Sequence, residues 1–202
     1  MDKQKDYFKH KAEKYEQEVA RTNNVQNIAN KITNEIDYTK NMEILDFGSG
    51  TGLLLSAVAP FVSKITAIDI SESMNKVLQK KSQDIKCDIE ILKHDLTKSK
   101  INRKFDGIIS SMTIHHVEDV EALFKIFYDM LNVGGSIAIA DLDLEDGSFH
   151  KEDTGVFHFG FDRNEFLGIA KKAGFKNLKI QTVSIVKKPY GEYSVFLLTG
   201  KK

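Results

Sequence analysis

The segment ILDFGSGTGLLL, residues 44–55, places three glycines within five positions directly after an apolar run. Glycine loses more conformational freedom on folding than any other residue, so this spacing disfavours regular structure at that point. The apolar residues before the glycines predict a buried strand, and those after them predict a helix that ends near Pro60. A loop of this kind lets the backbone and the N–H groups of the helix N-terminus approach a ligand closely.

Strands and helices alternate on the C-terminal side of this unit. Further strands are predicted for KITAIDI, IEILKHDL, FDGIISSM and SIAIADLD. Three helices are predicted as well: SESMNKVLQKK begins at the N-cap Ser71, VEDVEALFKIFYDMLN ends at Gly134 and Gly135, and DRNEFLGIAKKAGF lies between Asp162 and Gly174.

This order of elements predicts one domain over residues 1–202. The last two apolar runs, KIQTVSIV and YSVFLLTG, have no helix between them and are expected to pair antiparallel. Strands joined by helices form mainly parallel sheets that are covered on both faces. We therefore expect a single doubly wound, Rossmann-like α/β domain with a seven-stranded sheet, an antiparallel C-terminal hairpin and a ligand at the carboxyl ends of the strands.

Composition limits the functions that the chain can have. The 202 residues include 29 basic and 29 acidic side chains, so no overall charge attracts nucleic acid or an anionic membrane. The single cysteine, Cys87, excludes an internal disulfide. No apolar run is long enough to span a bilayer, and the charged first residues lack the apolar core of a signal peptide, so a cytoplasmic location is expected.

The spacing of the glycines narrows the choice of ligand. A P-loop requires a lysine that is absent here, and a dinucleotide fingerprint requires a third glycine at the position of Leu53. The next strand ends in AIDIS, which places Asp69 at the carboxyl edge of the sheet. A carboxylate there accepts hydrogen bonds from both hydroxyls of a ribose. A nucleotide-type ligand is therefore expected.

Taken together, these motifs resemble those of the class I S-adenosylmethionine-dependent methyltransferases over about residues 7–200. ILDFGSGTG is similar to the first motif of that family, ITAIDIS to the second, and KHDLT to the segment that faces the adenine. FDGIISSMTIHHVED resembles its fourth strand with the active-site loop, and LNVGGSIAIADLD its fifth strand. The resemblance implies S-adenosyl-L-methionine as the cofactor and in-line methyl transfer to a small-molecule acceptor, for which the protein mainly aligns the reacting groups.

The resemblance also implies which residues bind the cofactor. Asp46 is expected to attract the amino group of the methionine moiety, Asp69 to accept the ribose hydroxyls, and Asp95 to face the adenine amino group. The other implied cofactor residues are Gly48, Ser49, Gly50, Gly52, Ile70, Met74, Leu96, Ser110 and Ser111. For the apolar members, and for Met74 above all, ordinary packing in the core is the alternative.

Two histidines, His115 and His116 in TIHHVED, are the candidate bases. They follow the fourth strand and are expected to face the cofactor. Adjacent side chains point in different directions, so only one should serve, and His115 is preferred because we expect it to lie nearer the mouth of the pocket. The alternative is a histidine that caps the next helix or packs on the sheet. The methylated atom of the acceptor, whether oxygen, nitrogen, sulfur or carbon, stays open.

Residues 142–162 are expected to form a lid loop over the acceptor pocket, with aromatic walls from the phenylalanines of this stretch, Phe149, Phe157, Phe159 and Phe161. A divalent metal site built from Asp141, Asp143, Asp146 or His150 is the alternative. The spacing of these residues matches no tight ligand template, so no metal is predicted.

The N-terminal region, residues 1–38, resembles the helical lid of small-molecule methyltransferases, and residues 42–202 form the expected core. Apolar positions at helical spacing between residues 4 and 36 predict two amphipathic helices. Tyr7, Tyr15 and Arg21 are the candidates in this region to reach the pocket.

Other functions are less well supported. The segment SSMT lacks the proline-containing motif with which nucleic-acid amino-methyltransferases stack a flipped base, and Cys87 lies outside the expected site. We therefore expect no nucleic-acid and no membrane partner, and a monomer or a homodimer. A non-catalytic, methyltransferase-like cofactor-binding protein remains an alternative, and a dinucleotide-dependent oxidoreductase is a weaker one.

Overall fold

A computed structural model describes residues 6–9 and 11–202. Its strands are β1 Glu43–Phe47, β2 Lys64–Asp69, β3 Asp88–Lys93, β4 Phe105–Ser111, β5 Leu131–Leu142, β6 Lys176–Lys188 and β7 Gly191–Lys201. Its α-helices are α1 Val19–Glu35, α2 Leu53–Val58, α3 Glu72–Lys81, α4 Val120–Met130 and α5 Arg163–Ala173. The strands form one seven-stranded sheet in the order β3-β2-β1-β4-β5-β7-β6, which confirms the predicted fold class.

The parallel part of the sheet brings the predicted ligand residues to one edge. β1 pairs in parallel with β2 and with β4. Asp46 of β1 lies beside Ala67 of β2, and Asp69 of β2 lies beside Lys93 of β3. Because the carboxyl ends of parallel strands meet at one edge, the loops that follow β1, β2, β3 and β4 all open there.

The C-terminal hairpin pairs antiparallel, as predicted. β7 lies between β5 and β6 and runs antiparallel to both of them. β6 therefore has the same direction as β5, and its last residues reach the same edge of the sheet as the end of β5. This return of the chain adds a distant segment, around Lys188, to the edge where the loops open.

Helices cover both faces of the sheet. On one face α1 and α2 bury Ile28, Ile32 and Leu55. On the other face α4 and α5 bury Phe124 and Phe166. Each large apolar side chain of this kind contributes about 1.5–3 kcal/mol when it is fully buried, so these two layers provide the main stabilisation of the sheet.

Helix ends follow the sequence signals in most places. The Ser71 hydroxyl accepts a hydrogen bond from the backbone N–H of Met74 at 3.2 Å and so caps α3. The Asp162 carboxylate accepts two backbone N–H groups in the first turn of α5. Gly174, with φ of 110°, ends the same helix.

The predicted end of α4 is wrong by a few residues. α4 ends at Met130, before the glycine pair Gly134 and Gly135, and β5 already begins at Leu131. Leu131 pairs with Phe105 of β4 and is buried in the core. Strand pairing and burial therefore end the helix, and the glycines lie within an irregular stretch of the new strand.

The N-terminal region also differs from its prediction. One α-helix, α1, forms where two amphipathic helices were expected, and Ala12–Gln17 is a short 3-10 helix. Val19, a member of the first predicted stripe, is 69% exposed. The apolar residues of that stripe are too sparse to bury one continuous helix face. Residues 4, 5 and 10 of the predicted helical region lie outside the described residues.

Within residues 6–9 and 11–202, none of the helices combines the length and the apolar character that crossing a membrane requires.

Candidate functional site

The glycine loop turns sharply between β1 and α2. Gly48 has φ of 69°, and a Cβ added there would lie 2.1 Å from the Thr113 side chain. Gly50 has φ of 52°, but a Cβ on it would meet nothing within 4 Å. Close packing therefore requires glycine at position 48. At position 50 a side chain would have space, and a substitution would be strained only by the positive φ of the backbone. The loop thus presents bare backbone to open space at Gly50.

A cavity of about 320 Å³ lies at this edge of the sheet. The glycine loop and the start of α2 line it. The turn after β4, the loop around His150, the end of β6 and the N-terminal segment line it as well. A cavity of this size fits a small molecule.

Asp46 lies beside the glycine loop and lines the cavity. It is 1% exposed, and neither of its carboxylate oxygens has a hydrogen-bond partner among the described residues. Burial, together with the charge of Asp69, raises the pKa of Asp46 to about 8. A buried carboxyl group without partners is costly in the free protein, and a cationic group in the cavity would relieve that cost.

Asp69 ends β2 and holds the adjoining loops together. Its carboxylate accepts the backbone N–H of Gly50 at 2.8 Å and that of Ser71 at 2.7 Å. Burial raises the pKa of Asp69, although these two hydrogen bonds oppose the shift. Carboxylate oxygens have further lone pairs, so Asp69 can accept additional hydrogen bonds from a ligand.

The residues predicted to contact adenine lie beyond the cavity, next to Asp69 and after β3. Ile70 is 48% exposed, whereas Met74 and Leu96 are buried in the core. Asp95 accepts hydrogen bonds from the backbone N–H and the hydroxyl of Thr97. Of this group, only Ile70 and Asp95 offer accessible surface.

The two serines at the end of β4 differ in position. Ser111 lines the cavity, and its hydroxyl is buried without a partner among the described residues. Ser110 is fully buried, and its hydroxyl donates to the Phe47 carbonyl at 2.7 Å. Ser110 therefore does not line this cavity, because successive strand residues point to opposite faces. Ser49 and Gly48 line the cavity, whereas Gly52 packs against Leu78.

His115 forms a buried pair with Asp141. Its Nδ1 lies 2.6 Å from a carboxylate oxygen of Asp141, and its backbone N–H donates to the other oxygen at 3.2 Å. The two side chains are 1% and 0% exposed. Burial raises the pKa of Asp141, but the contacts with His115 outweigh it and hold that pKa below its usual value. An ionised Asp141 accepts a hydrogen bond from the Nδ1–H group, so the lone pair of the ring lies on Nε2. His115 lines the cavity, and its Nε2 has no partner among the described residues.

His116 and His150 complete a cluster of three imidazoles around the cavity. The ring centroids of His115 and His116 are 4.4 Å apart, and those of His115 and His150 are 5.3 Å apart. Burial is the main cause that lowers the pKa of His116 to about 4 and that of His150 to about 3. The expectation that His115 lies nearer the mouth is wrong, because His116 is the more exposed of the two. Neither histidine caps α4, since Asp119 does so.

The carboxylates of the suggested metal site are engaged elsewhere. Asp141 pairs with His115, Asp143 with Arg163 at 2.6 Å, and Asp146 accepts the backbone N–H of Ser148. Among residues 6–9 and 11–202, no group of three or more His, Cys, Asp or Glu side chains is arranged to hold a metal ion.

The loop after β5 reaches the cavity through fewer aromatic residues than expected. Phe149 lines the cavity, whereas Phe157 and Phe159 are more than half exposed. Phe161 packs beneath α5 against Phe166. Of the phenylalanines that were expected to form aromatic walls, only Phe149 therefore lines the cavity.

The N-terminal segment borders the same cavity. Tyr15 and Arg21 line it, as suggested from the sequence. Phe8 makes an edge-to-face contact with His116, with ring centroids 5.9 Å apart. Asp6 accepts hydrogen bonds from the Ser71 and Ser73 hydroxyls, next to Asp69. Tyr7 does not line the cavity and instead packs against Gly155.

A family model described as a methyltransferase domain matches residues 13–180. The chain belongs to this family. The class that the sequence motifs predict, that of the S-adenosylmethionine-dependent methyltransferases, is confirmed.

Two curated relatives illustrate the breadth of the family. An uncharacterized methyltransferase of Schizosaccharomyces pombe is 28% identical to this methyltransferase over 156 residues, which are 69% of this chain and 55% of the relative. Phosphoethanolamine N-methyltransferase 3 of Arabidopsis thaliana is 33% identical over 108 residues, which are 52% of this chain and 22% of the relative. The chain thus spans about half the length of the first relative and less of the second.

Solved structures agree on the fold. The complex of DhpI with SAH superposes with a TM-score of 0.75 at 17% identity and covers 97% of this chain and 93% of the other. At this level of identity the likeness establishes the architecture of this methyltransferase, and its ligands have to be argued from its own residues.

Sequence reasoning overlooked several residues of this methyltransferase site. Lys188 and the buried Asn24 line the cavity, and no local motif marks either of them. Met112 follows β4 with φ of 55°, an unusual conformation for a side chain of its size, and it also lines the cavity. Thr113 packs on Gly48. One signal was available in the sequence: Met112 and Thr113 directly follow Ser110 and Ser111, at the end of a predicted strand.

Proposed function

We propose that this methyltransferase domain transfers the methyl group of S-adenosylmethionine to a small-molecule acceptor, with His115 as the base that receives the proton of the acceptor. The observation that carries the proposal is the carboxyl group of Asp46, which is buried, lines the cavity and has no partner among the described residues. An ammonium group is the natural partner of such a carboxylate. The methionine moiety of S-adenosylmethionine carries one.

The described residues fit the rest of the cofactor as well. The open backbone at Gly50 leaves room for a ligand to lie against the loop. Asp69 retains acceptor capacity for the ribose hydroxyls, and Ile70 offers an exposed apolar surface for the adenine ring. Asp95 supplies a carboxylate on the adenine side. S-Adenosylmethionine supplies an electrophilic methyl group on a sulfonium ion.

His115 is the proposed base because Asp141 orients it. The hydrogen bond between Nδ1 and Asp141 sets the tautomer in which Nε2 carries the free lone pair. Because His115 lines the cavity, this lone pair can receive the proton of an acceptor. His116 and His150 have pKa values of about 4 and about 3, so both are uncharged at pH 7. Neutral imidazoles line the site without repelling a positively charged donor.

The enclosure of the site supports a small-molecule acceptor. The cavity measures about 320 Å³ and is bordered by the N-terminal segment and by the loop after β5. These borders leave room for a compact substrate.

Titration calorimetry with S-adenosylmethionine, S-adenosylhomocysteine and NAD tests the proposal. We expect the first two ligands to bind in the micromolar range, and Asp69→Asn to weaken both by about tenfold through loss of its charge-assisted hydrogen bonds. Asp129→Asn is the matched control, because Asp129 belongs to an exposed ion pair with Lys100. Preference for NAD would contradict the proposal in favour of an oxidoreductase. Binding of the cofactor with no transfer to any acceptor in a broad screen would favour a non-catalytic binding protein.

A further inference from the structure

We propose that the acceptor carries an anionic group, a carboxylate or a phosphate, and that Lys188 binds it at the end of the cavity formed by the last residues of β6. This inference rests on the proposed function, because it assigns the chemistry of the acceptor in the same cavity. Its evidence is separate, since it comes from side chains that play no part in the cofactor proposal.

Lys188 is placed at the cavity by the C-terminal hairpin. It is the last residue of β6, is half-buried, and lines the cavity. Its ammonium group lies 3.6 Å from the ring centroid of Phe149 and donates to the Phe149 carbonyl at 2.5 Å. An ammonium group has three N–H donors, so two remain for a ligand.

The other charges in this part of the cavity are largely balanced. Lys11 pairs with Glu152 at 2.5 Å, and Arg21 pairs with Glu18 at 2.7 Å. In the described part of the chain, Lys188 has no carboxylate in ion-pair contact, and neither does its neighbour across Tyr190, Lys151. Among the described residues, two positive charges therefore lack an ion-pair partner at this end.

Electrostatics at Lys188 also favour an added anion. Burial lowers the pKa of Lys188, and the charges of Arg21 and Lys151 lower it further, although Glu18 and Glu145 oppose them. A half-buried cation of this kind gains from a negative partner more than an exposed lysine does, because solvent screens the pair less.

The position of Lys188 relative to the base suits a small acid. His115 contacts His150, His150 contacts Phe149 at 4.8 Å between ring centroids, and Phe149 contacts Lys188. The base and the cation thus lie at the two ends of a wall of aromatic rings. An acceptor with an apolar body, a nucleophilic atom at one end and an anionic group at the other would contact all of these groups.

The test measures binding, not turnover, of matched probe pairs to the protein saturated with S-adenosylhomocysteine. The pairs are phenylacetate with phenylacetamide, and phenyl phosphate with phenol. We expect at least one acid to bind about tenfold or more tightly than its neutral partner, as a charge-assisted hydrogen bond allows. The two arms distinguish a carboxylate from a phosphate acceptor.

Variants at the end of β6 assign the effect to one ammonium group. Lys188→Gln and Lys188→Met should abolish the preference for the acid, and Lys188→Arg should retain it. Lys187→Gln is the matched control, because Lys187 is the preceding residue on the same strand, is 76% exposed and pairs with Glu192. All four variants should bind S-adenosylhomocysteine with wild-type affinity.

Three results would overturn the inference: equal affinity for acid and neutral probes, binding of no acid, or an acid preference that survives in Lys188→Gln and Lys188→Met. The titration of S-adenosylhomocysteine alone reports on the proposed function. If S-adenosylhomocysteine does not bind, but the protein still prefers the acid probes when they are titrated alone, the proposed function fails while the inference about Lys188 stands.

Discussion

The glycine-loop end and the β6 end of the cavity hold ionisable groups of opposite kind, a carboxyl group and an ammonium group, and neither has an ion-pair partner among the described residues. At the glycine loop, the carboxyl group of Asp46 is buried and has no partner among the described residues. At the end of β6, the ammonium group of Lys188 has no ion-pair contact with any carboxylate of the described residues. Between them lie the histidines, of which His116 and His150 have strongly lowered pKa values. We infer that the site sorts its ligands by charge, with an ammonium group at one end and an anion at the other.

The largest effect is expected between the two ends, at the base. His115→Gln should lower kcat by about 10²–10⁴, the usual contribution of general acid–base catalysis, and should leave the affinity for S-adenosylhomocysteine unchanged. Single-turnover methyl transfer to an identified acceptor measures it. His116→Gln is the matched control, because His116 is adjacent and its Nδ1 lies 3.2 Å from the Gly155 carbonyl. Equal losses in the two variants would contradict the choice of base.

At the glycine-loop end, Asp46→Asn should weaken the binding of S-adenosylmethionine by about 100-fold, the value of a strong charge-assisted hydrogen bond. Because the pKa of Asp46 is raised to about 8, its carboxyl group is mostly protonated at pH 7 in the free protein. Binding of an ammonium group should therefore release a proton. Calorimetry in buffers of different ionisation enthalpy measures that proton, and Asp46→Asn should abolish its release. An unchanged release in the variant would assign the proton to another group.

The same residue should cost stability when no ligand is bound. The pKa of Asp46 rises from its ordinary value of 3.8 to about 8 in the folded protein. Between these values the folded state keeps a proton that the unfolded state loses, so the wild-type protein should become less stable as the pH rises from 4 to 8. Asp46→Asn should remove this decline and stabilise the free protein at pH 7 by on the order of 2 kcal/mol. Denaturant unfolding across this pH range measures it, and parallel curves for the two proteins would contradict it.

The smallest effect concerns the bare backbone of the loop. Gly50→Ala should cost about 1–2 kcal/mol of stability from its positive φ and should weaken cofactor binding by about tenfold, because the new methyl group occupies open space beside the cavity. Gly134→Ala is the matched control, since Gly134 also has positive φ and open surroundings but lies away from the site. Thermal unfolding of both variants measures the loss of stability, and titration with the cofactor measures the loss of affinity. Equal cofactor affinity in the two would place Gly50 outside the binding surface.

The sequence was sufficient to predict features that depend on neighbouring residues. The glycine spacing after β1 predicted the loop, and Ser71 and Asp162 predicted the starts of α3 and α5. Asp46 and Asp69 could be placed near the same edge because they lie at or next to the last residue of two parallel strands that follow one another in the chain. Turn chemistry, caps and strand periodicity act over a few residues, so they can be recognised without knowledge of distant contacts.

The structure departs from local preference where distant contacts compete with it. Ser110 faces the Phe47 carbonyl because the neighbouring strand offers it an acceptor. α4 ends early because Leu131 gains a strand partner and a place in the core. His115 is buried because Asp141, at the end of a different strand, supplies the partner that a buried imidazole needs.

The fold class, the glycine loop and the acidic residues near the ends of β1 and β2 could all be predicted from the sequence, because each rests on local spacing or on the order of strands and helices. The proposed acceptor end of the site could not be predicted in this way and depends on tertiary contacts. There His115, His150 and Lys188 come from three segments far apart in the chain. They meet because β7 returns antiparallel between β5 and β6 and turns the end of β6 to the same edge. Pairing of this kind depends on which surfaces bury one another, and no short stretch of sequence encodes that choice.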